Sequence, residues 1–380
     1  MQTRKAFCLL LFVTCHILKL SAQAVNEKDS LALVDLYNNT DGPNWNVHSN
    51  WLSGPVSTWK GISLFGDRVT EIRLTNNNLT GYIPGSLGNM NQLSLLLLFN
   101  NQLAGHIPSA LGNLINLQQL NLGNNKLTGN IPGSLGKPTN LTHLFLDSNY
   151  LEGPIPYEIA NLTNIQELLL NSNKLSGDVS MLAGLSLSRL NLSGNAFTFD
   201  GIELVASKFQ GLTYIYRRQS PVRVHQKGNI LSVSAGGTLK NNTYIWLTAD
   251  RSDSTVITGD SLFHPTKSGA YHVRIINSKA KRLKLRSVSF NYTAPTDSIP
   301  RGGDKPKTFA VYPNPVKGVF NIKNPGNATF TLMDQTGRVV LKKDITDQGA
   351  MDASNLQIGI YYLRNNNTGA LKKVIKLDYH

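Results

Sequence analysis

The chain has 380 residues, 41% of them hydrophobic and 16% charged, with 32 glycines and 16 prolines. That length is too great for one compact core and predicts two to four domains, and the composition excludes global disorder. The formal charge of +14 is unevenly spread: residues 25–195 hold eleven carboxylates against eight Lys and Arg, whereas 196–300 hold six against fourteen. A nucleic-acid binder concentrates cations on its reading surface, so the slightly acidic first half argues against that class. Anionic polymers such as lipopolysaccharide suit the basic second half better.

Residues 1–24 have the layout of a secretory signal peptide. Arg4 and Lys5 precede an apolar run from Ala6 to Val13, and Ala22-Gln23-Ala24 ends it with small residues, predicting cleavage after Ala24. Cys15, His16 and Lys19 interrupt the run well short of the roughly 20 apolar residues of a transmembrane segment, and no later stretch is apolar enough. Both cysteines, Cys8 and Cys15, fall inside this leader. The mature chain would then fold without disulfides or thiolate chemistry.

Residues 25–68 read as a cap, with a helix around Lys28–Tyr37 followed by Trp45, Trp51 and Trp59. A pattern LxxLxLxxNxLxGxIP then starts at Val69, Leu93, Leu117, Leu141 and Ile165, each 24 residues after the last, with a shortened sixth copy at Leu187. No single copy can bury its leucines alone, so the copies must stack into a solenoid with one short strand each. The column Asn77, Asn101, Asn125, Asn149, Asn173 and Asn195 is expected to be an internal hydrogen-bond ladder rather than a binding site. The array resembles the 24-residue leucine-rich repeats of plant receptor ectodomains and many bacterial surface proteins. Asp41-Gly42-Pro43-Asn44-Trp45 through Ile62 resembles their N-terminal cap without its cysteines, so tryptophan packing is expected to replace the disulfide. An aromatic sugar platform is the weaker reading of the same tryptophans. A C-terminal cap is expected within Phe197–Tyr216, closing a solenoid over 69–216.

Strand alternation places the variable positions of each copy on the concave face. The three columns are Glu71, Leu95, Gln119, His143, Glu167, Arg189; Arg73, Leu97, Asn121, Phe145, Leu169, Asn191; and Thr75, Phe99, Gly123, Asp147, Asn171, Ser193. The apolar members Leu95, Leu97, Phe99, Phe145 and Leu169 should be exposed there, beside His143, Asp147, Glu167 and Asn171. An exposed apolar patch with charged neighbours marks a protein or peptide ligand site.

Residues 217–293 lose the repeat and show short alternating strands: Leu231–Val233, Tyr244–Leu247, Tyr271–Ile275 and Val288–Tyr292. The run Lys279, Lys281, Arg282, Lys284, Arg286 alternates like the outer face of another strand. Ser268-Gly269-Ala270-Tyr271 resembles the tyrosine corner of immunoglobulin-like β-sandwiches, with Trp246 in the place of the core tryptophan. Gly259-Asp260-Ser261-Leu262 spells an esterase nucleophile motif but lacks the α/β context and the downstream Asp-x-x-His. The eight histidines show no HExxH or other metal spacing, and no GxSxG occurs, so no catalytic residue, cofactor or metal is expected.

Residues 294–308 are a polar linker carrying Pro and Gly. Then come Val311-Tyr312-Pro313-Asn314-Pro315, Gly318–Ile322, Leu332-Met333-Asp334 with Gly337–Val340, Gly359–Leu363 and Lys372–Lys376. This ordered set resembles the C-terminal sorting domain of the type IX secretion system of Bacteroidota, over nearly all of 309–380. The resemblance implies contact with that secretion machinery and a secreted or outer-surface location. The chain as a whole is expected to be an exported binding or adhesion protein. A passive surface-layer or biofilm component is the alternative, and a secreted hydrolase the weaker one.

Overall fold

The computed structural model of the chain describes residues 25–211, 216–294, 309–334 and 337–377. The expected signal peptide and nearly all of the expected linker lie outside these residues. Two compact units result, Met1–Pro295 and Thr296–His380.

The first unit begins with the helix Glu27–Asn39, started by Asn26, whose side chain accepts from the Lys28 N–H. Its buried Asp29 receives two bonds of 2.9 Å from the Arg68 guanidinium and a third from the Val69 N–H. That carboxylate locks the cap helix to the first strand pair. Behind it Trp45, Trp51 and Trp59 are buried at 3–6% exposure and, with Tyr37, form one aromatic cluster at centroid distances of 4.8–5.8 Å. Each indole N–H reaches a backbone carbonyl (Thr40, Lys60 and Gly54), so the tryptophans are packing elements and not a sugar platform.

Seven strands form the concave sheet: Ile62–Phe65, Arg68–Arg73, Leu95–Leu97, Gln119–Asn121, His143–Phe145, Glu167–Leu169 and Arg189–Asn191. The first pairs antiparallel and covers the sheet edge from the cap; all others are parallel. The inward residues Leu96, Leu98, Leu120, Leu122, Leu144 and Leu146 are fully buried. Each copy also adds a second short strand, giving a five-stranded strip from Thr80–Tyr82 to Lys174–Ser176 that the single-strand reading of the repeat did not contain. The Ile-Pro pair then closes the turn. The isoleucine enters the core, and Pro84, Pro108, Pro132 and Pro156 hold the backbone just before a short 3-10 turn. These turns stack tightly: a Cβ on Gly112 would lie 2.3 Å from the Ser134 carbonyl oxygen.

The asparagine column is the expected ladder. Asn125 Nδ2 donates to the Leu98 and Leu122 carbonyls (3.0 and 3.1 Å), while its Oδ1 accepts the Leu103 N–H at 3.0 Å. Asn149, Asn173 and Asn195 repeat the pattern one turn further each time. At the front, Asn77 instead binds both backbone groups of Val47 and so ties in the cap.

The ladder does not stop at Asn195. Gln219, 24 residues on, donates to the Leu192 and Tyr216 carbonyls (both 3.0 Å) and accepts the Phe197 N–H at 2.9 Å. It is a seventh rung, so the solenoid continues past the helix Ile202–Lys208 that occupies the expected cap.

Residues 217–293 were expected to be a separate β domain. They do form two antiparallel sheets, Val224–Lys227, Ile230–Val233 and Leu262–Phe263 against Ser254–Thr258, Asn242–Thr248, Gly269–Asn277, Lys284–Arg286 and Phe290–Tyr292. Their core, however, is continuous with that of the solenoid, from Ala32 to Tyr292, so position 217 does not divide the core. Glu203 fastens the joint: its carboxylate accepts from Thr238 N and Oγ1 and from the Asn241 and Asn277 side chains at 2.6–3.1 Å.

Burial alone would raise the Glu203 pKa, but these hydrogen bonds outweigh it and hold the carboxyl below its ordinary value of 4.5. A depressed folded-state pKa stabilises fully above the unfolded value and is lost as pH falls through the folded one. Urea unfolding from pH 6 to pH 3 should therefore show an acid-side loss of stability that Glu203→Gln reduces. An unchanged slope in the variant would remove Glu203 as its source.

The second unit has a five-stranded antiparallel sheet: Ala310–Tyr312, Val319–Met333, Gly359–Asn365 and Leu371–Lys376 in that order, with Val339–Asp352 pairing Val319–Met333. Phe309, Phe320, Phe330, Leu332 and Leu363 fill its separate core. Tyr361 Oη donates to the Gln357 carbonyl four residues earlier at 2.8 Å.

Candidate functional site

The parallel register brings the predicted columns together as rows. Leu95 pairs with Gln119, Gln119 with His143, and His143 with Glu167; Leu97 pairs with Asn121, Asn121 with Phe145, and Phe145 with Leu169. The sheet carries ion pairs at its ends, and between them the apolar residues of its second, fourth and fifth copies are interrupted by Gln119 and Asn121 of the third. At one end Arg73 Nε donates to Glu71 Oε2 at 3.0 Å, and the Arg73 bond holds the Glu71 pKa below its usual range. At the other, Arg189 and Glu167 lie 3.4 Å apart.

The expected exposure needs correction. Leu95 is buried at 8% although it lies outside the main hydrophobic cluster, while Leu97, Phe99, Phe145 and Leu169 are half-buried. The cause is spacing. Neighbouring parallel strands are under 5 Å apart, so large side chains in one column cover each other's flanks and present only their tips. His143 and Phe145 meet edge to face at 5.7 Å, and the Thr142 hydroxyl lies 2.8 Å from His143 Nδ1. Glu167 and Asn171 are half-buried as well.

One feature of this face could not be read from hydrophobicity. Gly123 lets Phe99 and Asp147 close in over it: a Cβ there would meet Asp147 Oδ1 at 2.8 Å and the Phe99 ring at 3.2 Å. Burial pushes the Asp147 pKa up, against a hydrogen bond from Ser148. Asp147 is therefore a half-buried acceptor close to the Phe99 ring.

The remaining motifs take structural roles. Gly259-Asp260-Ser261-Leu262 is a turn closed by the Leu262 N–H on Asp260 Oδ1 (3.0 Å), and His264 is exposed. Among the described residues no group of His, Asp and Glu is arranged to hold a metal ion, and no helix is long and apolar enough to cross a membrane.

Comparisons with known proteins agree with the two units. A family model described as a secretion system C-terminal sorting domain matches residues 310–377, and a leucine-rich-repeat model matches 68–90, 116–138 and 140–162. Among curated proteins nothing matches. Among solved structures, the PEPR1–AtPEP1 complex is 26% identical, with a TM-score of 0.45, over 52% of this chain and 28% of that one. The BIR3–SERK2 complex from Arabidopsis thaliana is 31% identical, with a TM-score of 0.40, over 45% and 96% respectively. A plant ice-binding protein is 26% identical, with a TM-score of 0.38, over 46% and 66%. The chain thus spans little more than a quarter of the first of these structures. Both its repeats and its tail are matched by family models, and the chain is a leucine-rich-repeat protein with a C-terminal sorting domain of the type IX secretion system.

Proposed function

We propose that this chain is an exported binding protein that takes a protein or peptide ligand on the concave sheet, at Leu95, Leu97, Phe99, His143, Phe145, Asp147, Glu167, Leu169 and Asn171. The observation that carries this reading is the apolar tips of Leu97, Phe145 and Leu169 in one row, with Asn121 set among them, bracketed by the Arg73–Glu71 and Arg189–Glu167 ion pairs. Apolar tips supply burial on contact, and the flanking charges with the Asp147 carboxylate supply direction and specificity. Leu95 forms the floor of the surface and Leu97, Phe99, Phe145 and Leu169 its contact layer. The sorting tail supplies the route to the outer surface or medium, after cleavage of the leader near Ala24. The β segment 217–293 is read as an immunoglobulin-like module, a spacer or a secondary binding module. Supporting this, Tyr271 Oη donates to the Lys267 carbonyl four residues upstream, and buried Trp246 stacks on Phe263 at 4.9 Å.

The test is to select peptides from a random displayed library on the full chain and re-measure them on the Leu97→Glu, Phe145→Glu double variant. Both side chains sit on the surface layer, so the variant should keep its melting temperature within a few degrees. Selected peptides should bind it at least tenfold more weakly. Equal binding to both forms would place the ligand site elsewhere.

A further inference from the structure

The β segment has an outer strand that is open along its far side. Ser254–Thr258 ends the sheet that runs through Asn242–Thr248, Gly269–Asn277 and Lys284–Arg286. The Thr248 N–H donates to the Asp253 carbonyl at one end of its pairing (3.2 Å), and the Gly259 N–H donates to the Asn242 carbonyl at the other (3.0 Å). Bonded positions alternate in an antiparallel pair, so residues 253, 255, 257 and 259 bond to the neighbouring strand. The N–H and C=O groups of Ser254, Val256 and Thr258 therefore point away from the sheet, and no strand among the described residues pairs with them.

This edge is held in place at both ends. Asp250 Oδ1 accepts from the Thr248 hydroxyl and from the Ser252 N–H and hydroxyl at 2.6–3.0 Å, which fixes the hairpin turn. At the other end the Thr243 and Thr258 hydroxyls meet at 3.1 Å. The β-branched run Thr255-Val256-Ile257-Thr258 favours extended backbone. Val256 lies opposite Ile245 and is 63% exposed.

An open edge invites the addition of another strand, and proteins usually blunt it with charge, proline or a bulge. Two other outer strands of this segment are blunted by charge. Val224–Lys227 carries His225 and Lys227, and Lys284–Arg286, the part of the alternating run 279–286 that forms a strand, carries two cations. Ser254–Thr258 has no charge, no proline and an unbroken register. Charge also singles out its surroundings. Residues 204–296 hold fourteen Lys and Arg against three carboxylates, and those three, Asp250, Asp253 and Asp260, all flank this strand. Two copies of so basic a segment repel each other least at this edge.

We propose that Ser254–Thr258 pairs antiparallel with the same strand of a second copy of this chain, about a two-fold axis at Val256. In that register Val256 faces its own counterpart, and Ser254 faces Thr258 on either side. These are the residues whose backbone groups point outward, so every outward group of both copies gains a partner at once. Asp253 faces Gly259, so no like charges stand directly opposite. The Ile245–Val256 row continues across the axis into the same row of the second copy, which covers the exposed valine. A foreign strand would meet the backbone groups equally well but would not use the symmetric placement of the residues around Val256. A two-fold contact is closed, so pairing ends at a dimer and does not grow into a fibre. Pairing also joins two concave faces in one particle, which strengthens attachment to a ligand displayed repeatedly on a surface. That consequence rests on the concave-face reading; the pairing does not.

The experiment uses the full chain. A strand pair of this length is a small interface, so sedimentation should show the mean mass rising from that of a monomer towards twice that value between about 1 µM and about 500 µM. Val256→Lys sets like charges face to face on the axis and changes only an exposed side chain. It should keep the melting temperature and weaken dimerisation about tenfold or more. Val288→Lys adds the same charge at a valine of similar exposure (65%) beyond Lys284–Arg286, and should stay within about twofold of the parent. The register is read by disulfide formation in a Cys8→Ser, Cys15→Ser background. Val256→Cys should cross-link on mild oxidation, because residues paired on the axis have Cα atoms about 5.5 Å apart. Ser254→Cys should not, because its two copies lie about 13 Å apart along the strands. A parent chain that stays monomeric throughout, Val256→Lys dimerising like the parent, equal weakening by Val288→Lys, or Ser254→Cys cross-linking as fast as Val256→Cys would each overturn the proposal.

Discussion

Replacing Asn125 with leucine, which has the same heavy-atom shape, should cost the chain about 1–3 kcal/mol of stability, because the buried Leu103 N–H loses its acceptor. The Leu98 and Leu122 carbonyls lose the Asn125 donor but each keeps a second one, from Asn101 and Asn149. A buried polar group left unpaired costs about 1–3 kcal/mol, and the apolar surface that leucine adds cannot recover that in a site shaped for an amide. The expected signature is more than a lower midpoint. Stability in a solenoid is a sum of repeats and nearest-neighbour interfaces, so a weak interface in the middle should split the urea transition into two. Lys126→Ala, at the exposed position one residue away, serves as the control and should stay within about 0.5 kcal/mol of the parent. A single transition with unchanged midpoint in Asn125→Leu would mean that water or the neighbouring turns satisfy that N–H.

Trp51→Ala should be the most damaging change in the cap, at about 3–5 kcal/mol. Trp51 is the centre of the aromatic cluster: it stacks on Tyr37 at 5.8 Å, meets Trp45 and Trp59 at 4.8 Å each, and donates to the Lys60 carbonyl at 2.9 Å. Its loss opens a cavity among three rings. Trp51→Phe keeps a ring and should cost markedly less, while forfeiting the Lys60 bond. Thermal unfolding followed by tryptophan fluorescence would read both. The described cap contains no cysteine, so this cluster together with the Asp29–Arg68 pair is what holds the first repeat closed. A Trp51→Ala chain that melts with the parent would show that the helix Glu27–Asn39 and Asn77 suffice.

The comparison of particular residues shows how far the sequence could be read. The asparagine ladder was legible because an amide at a fixed 24-residue interval, always beside leucines, has one economical use. Gln219 was missed although it keeps that interval, since a glutamine with Tyr216 and Arg217 before it does not match the LxxN consensus; spacing alone, counted on from Asn195, would have found it. The concave columns were placed in their correct rows, but Leu95 was expected on the surface and is covered. Alternation tells which side of a strand a residue takes and nothing about how wide its neighbours are.

What the sequence determined by itself is the solenoid, the identity of its rungs and rows, and the tail. Each follows from repetition or from an ordered motif set, and in a solenoid every copy meets only the next one, so local pattern nearly dictates contact. What the tertiary structure alone decided is where unlike segments meet. Nothing in the separate stretches 204–249 and 261–296 says that Arg217 and Arg218 would face Lys281, Arg282 and Lys284, or that Glu203 would bind Thr238, Asn241 and Asn277 across the joint. Those contacts join residues some 35 to 75 positions apart with no period to announce them, and only the packing of one core around both segments fixes them.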